Sequence, residues 1–177
     1  MTVPGPDHDR IVDRILSMDE RLREISGGRT RLLPVTKAFG PEVVLAVLAA
    51  GHRSVGENYA QELLAKHEAL GDPSIEWHMI GNVQRNKVRR LVGPVAVWQT
   101  IDRPALVAEV SRRSPGGRIL VQVDCLGVPG RGGCPPGEVE ALVSAALASG
   151  LDVAGLMSVG APGDSTATRG AFRTCLL

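Results

Sequence analysis

Three side chains stand where short apolar runs give way to polar residues, and they are the ones best placed for chemistry. Lys37 closes the run LLPVTK. In a parallel α/β fold the carboxyl ends of strands are where ligands bind, and a lysine partly desolvated there offers a neutral amine able to attack an aldehyde. The plainer alternative is a solvated strand-end lysine, since lysine is mostly exposed. Asn58 lies in GENYAQE, Gly56–Glu62, where Gly56 permits an unusual turn or a close ligand approach and Asn58 and Tyr59 offer hydrogen-bond donors over the same edge. The alternative is an ordinary first turn of a helix whose acidic residues, Glu57 and Glu62, suit the dipole. His78 lies in WHMIGNVQRNK, Trp77–Lys87, sharing one strand face with Ile80 while Trp77 and Met79 take the other. For His78 the alternative is a buried, hydrogen-bonded core histidine.

Other chemistries lack their residues. No G-x-G-x-x-G or Walker-type loop occurs, and the glycine-rich GVPGRGG, Gly127–Gly133, has no following Lys-Ser/Thr. The carboxylates form no catalytic pair, and Cys125, Cys134 and Cys175 have neither C-x-x-C nor zinc-finger spacing. An odd cysteine count without a secretory leader suggests reduced thiols in a cytosolic setting. The start, MTVPGPDHDR, has no apolar leader core, and no apolar run is long enough to cross a bilayer. Twenty basic against 19 acidic side chains leave a net charge of +1, so no global field favours nucleic acid or an anionic membrane. The local cluster Arg85, Lys87, Arg89 and Arg90 reads as a solvated helix face, because no aromatic platform accompanies it for RNA. The expectation is a soluble, cytoplasmic protein.

Aromatic residues are 3% of the chain, so Val, Leu, Ile and Ala must build the core. From Asp9 to Ile25, Ile11, Ile15, Leu16, Met18, Leu22 and Ile25 recur at helical spacing, and Gly27-Gly28 stops the helix. Strands are then predicted at Arg31–Thr36, Ser54–Gly56, Trp77–Ile80, Val95–Ile101, Ile119–Asp124 and Val153–Met157. Helices are predicted between them at Pro41–Ala50, Ala60–Leu70, Arg85–Val92, Pro104–Arg113 and Pro136–Ala148. A last helix, carrying Ala167, Ala171, Phe172 and Leu176, begins after the sixth strand. Strand-helix alternation at roughly 20 to 30 residues per unit means parallel strands covered by helices. An open doubly wound sheet and a closed (β/α)₈ barrel share this rhythm, and periodicity does not separate them.

In order along the chain, PVTK, GENYAQE, WHMIGNVQRNK, the Thr100-Ile101-Asp102 that closes the fourth strand, VQVD and GLMS resemble the pyridoxal phosphate homeostasis proteins. The resemblance covers nearly the whole chain. It implies a (β/α)₈ TIM-like barrel of the alanine racemase N-terminal type, here with about six of its eight strands, and a single domain over residues 1–177. It implies pyridoxal 5′-phosphate as cofactor, Lys37 as the Schiff-base lysine, and Asn58, His78 and Met157 as residues lining the cofactor site. The implied role is storage of the cofactor, or its transfer to apo-enzymes, with no catalytic turnover and no nucleic-acid or membrane partner. A racemase-like enzyme is the alternative, disfavoured because the second acid/base of a two-base racemase is usually a tyrosine from an added domain and Tyr59 is the one tyrosine here. A barrel remnant without ligand is the third reading.

Two departures from the family pattern stand out. Arg131 precedes Gly132 where relatives typically carry lysine, keeping the charge but not the amine. Relatives also continue beyond the last helix into segments that give most of the phosphate-binding groups, so the chain reads as one cut short. Without those groups Lys37 is expected to hold the cofactor nearly alone.

Overall fold

The computed structural model describes residues 6–128 and 130–174, which form two compact units divided between His78 and Met79. In the first unit, helix α1 (Pro6–Ser26) is amphipathic as its apolar spacing requires. It packs against α2 (Pro41–Ala49), which buries Val44, Ala46 and Val47. The link is reinforced from the polar side, where His52 Nε2 lies 2.6 Å from Asp19 Oδ2. Gly27 and Gly28 end α1 at φ 60° and 79°, a region open to glycine at little steric cost. Strand β1 (Ser54–Glu57), helix α3 (Ala60–Leu70) and strand β2 (Glu76–Met79) up to His78 complete the unit, with β1 beside β2.

The strand predicted at Arg31–Thr36 is corrected to a single parallel bridge, Val35 with Gly56. Thr36 N–H donates to the Gly56 carbonyl at 3.0 Å, and Gly56 N–H to that of Pro34 at 2.8 Å. The preceding parallel rung would need an N–H at residue 34, and Pro34 has none. One rung is nonetheless enough to fix the register of Lys37.

The second unit holds α4 (Arg85–Leu91), β3 (Val95–Ile101), α5 (Pro104–Arg113), β4 (Arg118–Gln122), α6 (Val139–Ala148), β5 (Asp152–Met157) and α7 (Ser165–Thr174). Strand β3 pairs in parallel with β4, Trp98 beside Ile119, and β4 pairs in parallel with β5, Gln122 beside Met157. The buried core of this unit includes Trp98, Ile119 and Val121 on the strands and Leu106, Val107 and Val110 on α5. The helix predicted from Pro136 opens instead with a 3-10 turn, Pro136–Glu138, before α6. Leu176, predicted on the last helix, lies outside the described residues. The described residues thus contain five strands, with the Val35–Gly56 bridge in place of the sixth strand predicted.

Candidate functional site

The bridge between Val35 and Gly56 sets the geometry of the site, because Lys37 and Asn58 each lie two residues beyond it. Side chains two apart share a strand face, so the register brings Lys37 and Asn58 level at the carboxyl ends of neighbouring segments. Lys37 is exposed and Asn58 half-buried. Burial therefore does not desolvate the Lys37 amine, contrary to the partial desolvation the sequence suggested.

What holds Lys37 lies beneath it. Thr36 is fully buried, and its hydroxyl donates to Glu57 Oε2 at 3.2 Å. Glu57, the last residue of β1, is also fully buried and is paired with Lys66 of α3, whose Nζ lies 2.6 Å from Oε2. The same Nζ donates to the Thr36 carbonyl at 2.7 Å. It also lies 3.5 Å from Glu62 Oε2, which accepts the backbone N–H of Ala38 at 2.8 Å. Glu57 Oε1 accepts the N–H of Asn58 at 2.9 Å. The peptide groups before and after Lys37, and the one that starts Asn58, are therefore tied to one buried charge cluster. Ala38, at φ 65°, is the one non-glycine residue with positive φ among those described. A left-handed alanine is steric strain that persists where the surroundings over-determine it.

Sequence reasoning missed this cluster, having assigned Glu57 and Glu62 to the helix start and Lys66 to no role. Two signals were present. Glu57 is a charge closing an apolar strand, which demands a partner if buried. Glu62 and Lys66 have the i, i+4 spacing of a helical ion pair.

His78 occupies β2 between fully buried Trp77 and Met79 and is itself half-buried, on the opposite strand face as the alternation predicts. The ring of Trp77 meets His67 of α3 edge-on, with centroids 6.4 Å apart. Lys37, Asn58 and His78 all belong to the first unit, at the bridge, β1 and β2.

Met157 ends β5 in the second unit, half-buried, and its carbonyl accepts the Val123 N–H at 2.9 Å. Near it the loop after β4 is pinned rather than free. Val123 and Cys134 form a parallel bridge, Gly133 N–H donates to Asp102 Oδ2 at 3.2 Å, and Arg131 Nη1 donates to the Gly160 carbonyl at 3.1 Å. Arg131 thus spends its guanidinium partly on the backbone. Thr100, from the fourth predicted strand, is buried and donates to the Gly81 carbonyl at 2.7 Å. Cys134 is a free, buried thiol whose pKa burial pushes up, helped by the charges of Glu138 and Asp102; it has none of the character of a nucleophile. Cys175 lies outside the described residues. Among the described residues no cluster of His, Cys, Asp or Glu could hold a metal ion, and no helix is long and apolar enough to cross a membrane.

Comparison with known proteins gives this geometry a family. Residues 9–175 match the family of the alanine racemase N-terminal domain. The pyridoxal phosphate homeostasis protein of Aquifex aeolicus is 35% identical over 159 residues, covering 85% of this chain and 68% of that one. Among solved structures, a protein of unknown function from Bifidobacterium adolescentis superimposes with a TM-score of 0.86 at 27% identity, covering 99% of this chain and 80% of its own. PipY of Synechococcus elongatus, solved with pyridoxal phosphate bound, gives a TM-score of 0.77 at 26% identity, covering 94% of this chain and 80% of PipY. Of the two architectures that periodicity left open, the fold is therefore the alanine racemase type of (β/α) barrel, present in part. On the strength of these matches, and of the strand-end Lys37 that its motifs frame, the chain belongs to the alanine racemase N-terminal domain family and, within it, to the pyridoxal phosphate homeostasis proteins.

Proposed function

We propose that this chain binds pyridoxal 5′-phosphate covalently through Lys37 and stores or hands on the cofactor instead of turning over a substrate with it. The observation that carries the reading is an exposed primary amine on a backbone fixed from below on both sides, level with Asn58. The chain has three lysines. Lys66 is buried in the charge cluster, and Lys87 sits half-buried on the basic helix α4, leaving Lys37 as the accessible amine of a strand end.

The residues fit the group chemically. When bound, the cofactor would supply an electrophilic aldehyde, and Lys37 would be the residue that holds it through its amine. Lys37 presents the nitrogen, Asn58 offers amide hydrogen bonds beside it, and His78 offers an imidazole on the same sheet, while Met157 of the second unit is added by the family resemblance alone. Capture by Lys37 keeps a reactive aldehyde from other amines, and the Aquifex relative, named a pyridoxal phosphate homeostasis protein, supports a cofactor-handling role. PipY, solved with the cofactor bound, supports the same ligand here.

Catalysis fits less well. Racemisation by two bases requires a second acid/base facing the lysine, and Tyr59, the one tyrosine, is 57% exposed at the start of α3. We place the protein in the cytoplasm, as one domain, with pyridoxal-phosphate-dependent apo-enzymes as partners that receive the cofactor.

The test is direct. Purified protein is mixed with pyridoxal 5′-phosphate, its absorption is followed, the adduct is trapped with borohydride, and the modified peptide is mapped. An adduct on Lys37 supports the reading. An adduct on another lysine, or none, overturns it, and racemisation of an added amino acid would assign the protein to enzymes.

A further inference from the structure

We propose that Glu62 and Lys66, anchored by Glu57, are positioning residues that set the direction of the Lys37 side chain; the proposal rests on Lys37 being the cofactor amine. All the contacts involved lie within the first unit and converge on three consecutive residues. Lys66 Nζ has three N–H donors and finds three acceptors, the Thr36 carbonyl at 2.7 Å, Glu57 Oε2 at 2.6 Å and Glu62 Oε2 at 3.5 Å. Glu62 Oε2 in turn accepts the Ala38 N–H at 2.8 Å. The residue before Lys37 is thus held through its carbonyl and the residue after it through its amide.

Stability alone is a poor reason for such an arrangement. A buried ion pair is weak evidence for stability, because desolvating two charges offsets most of their attraction and a well-packed apolar pair does as well. The backbone being held is also an unfavourable one, since Ala38 is fixed at φ 65°. The cluster therefore spends buried charge and backbone strain on the turn that carries the one exposed strand-end lysine, and that is the expense of orientation. The same carboxylate of Glu57 that anchors Lys66 also accepts the Asn58 N–H, so the cluster sets Lys37 and Asn58 relative to one another. Capture of an aldehyde needs the amine nitrogen aimed at the carbonyl carbon, and pre-set orientation of this kind governs rate.

Glu62 is the residue to change, because its side chain is one-third exposed at the first turn of α3. In Glu62→Ala the Ala38 N–H loses its acceptor. In Glu62→Gln the amide oxygen remains to accept it. Expected in Glu62→Ala are capture of pyridoxal 5′-phosphate on Lys37 slowed by about tenfold or more, and faster amide exchange at Ala38 in cofactor-free protein. Glu62→Gln should restore most of both, with thermal unfolding unchanged throughout. The double variant Glu57→Gln/Lys66→Met, which removes the ion pair without stranding a charge, should slow capture in the same way. Wild-type capture rates and wild-type Ala38 exchange in Glu62→Ala would overturn the clamp. Failure of the underlying reading is separate, for it shows as a trapped adduct that survives Lys37→Ala, whatever the Glu62 variants do.

Discussion

Lys66 Nζ lies 2.6 Å from Glu57 Oε2 with both side chains almost wholly removed from water. An ammonium so placed is tolerated only while its partner remains. Lys66→Met alone leaves a buried carboxylate unpaired and should cost about 3–5 kcal/mol. Glu57→Gln/Lys66→Met leaves no unpaired charge at these positions and should recover a substantial part of that loss, so the two substitutions will be non-additive. Denaturant unfolding of the two single variants and the double variant measures it. A double variant as unstable as the sum of its parts would mean the pair is not coupled.

The turn that carries Lys37 should respond to the residue at 38. Ala38 is left-handed at φ 65°. Glycine meets no steric penalty there but raises the entropy of the unfolded chain, so Ala38→Gly should shift stability by less than about 1 kcal/mol in either direction. A β-branched residue is far worse suited to positive φ, and Ala38→Val should destabilise by roughly 1–3 kcal/mol and slow trapping at Lys37. Thermal unfolding of both variants, with borohydride trapping as the second readout, checks the pair.

These two positions also show where sequence reading stops. The bounds of α3, β3 and α5 are legible directly, because glycine, proline and apolar spacing mark both ends of each. Lys37 is legible as the close of an apolar run and Asn58 as lying just past one, whereas His78 sits inside its run, between Trp77 and Met79. The strand predicted at Arg31–Thr36 fails because a hydrogen-bond ladder depends on which N–H groups face the neighbour, and Pro34 removes the one that the next rung needs. The partnership of Glu57 with Lys66 and Thr36 is tertiary, joining a strand, a helix and a turn, and no local periodicity encodes it. Exposure of Lys37 is likewise a property of packing.

Acid should weaken a second ionic site, on α5. Glu109 lies against Arg112 at 2.5 Å and against Arg113, and these guanidiniums hold its carboxyl pKa down to about 2 from the ordinary 4.5. A carboxyl with a depressed folded pKa adds stability above its unfolded pKa and loses it as protons bind the folded form. The contribution is therefore complete above about pH 5 and declines as pH falls through the interval from 4.5 toward 2. Glu109→Gln should leave a flatter dependence of unfolding temperature on pH across that window. An unchanged slope would show that the guanidiniums do not stabilise the carboxylate in solution.

Lysine mapping gives the strongest prediction because the chain offers so few alternatives. Beyond Lys37 there are Lys66 and Lys87. Lys66 has its three N–H donors engaged in a buried cluster, so an aldehyde reaching it would have to break the pair with Glu57 and enter a site that is almost closed to solvent. Lys87 lies on α4 among Arg85, Arg89 and Arg90, a basic surface that attracts the phosphate of the cofactor, and the open cavity it lines with Asn86, Arg89, Arg90 and Arg113 is cationic apart from Asn86. Electrostatic attraction alone gives weak, salt-sensitive encounter and not a fixed geometry. In Lys37→Ala, trapped cofactor should therefore fall to the background seen with an unfolded control. Any remainder should map to Lys87 and vanish as salt rises, whereas capture by Lys37 in the parent chain should persist. Salt-resistant trapping at Lys87 would move the binding site to α4, and trapping at Lys66 would mean that the buried cluster opens readily.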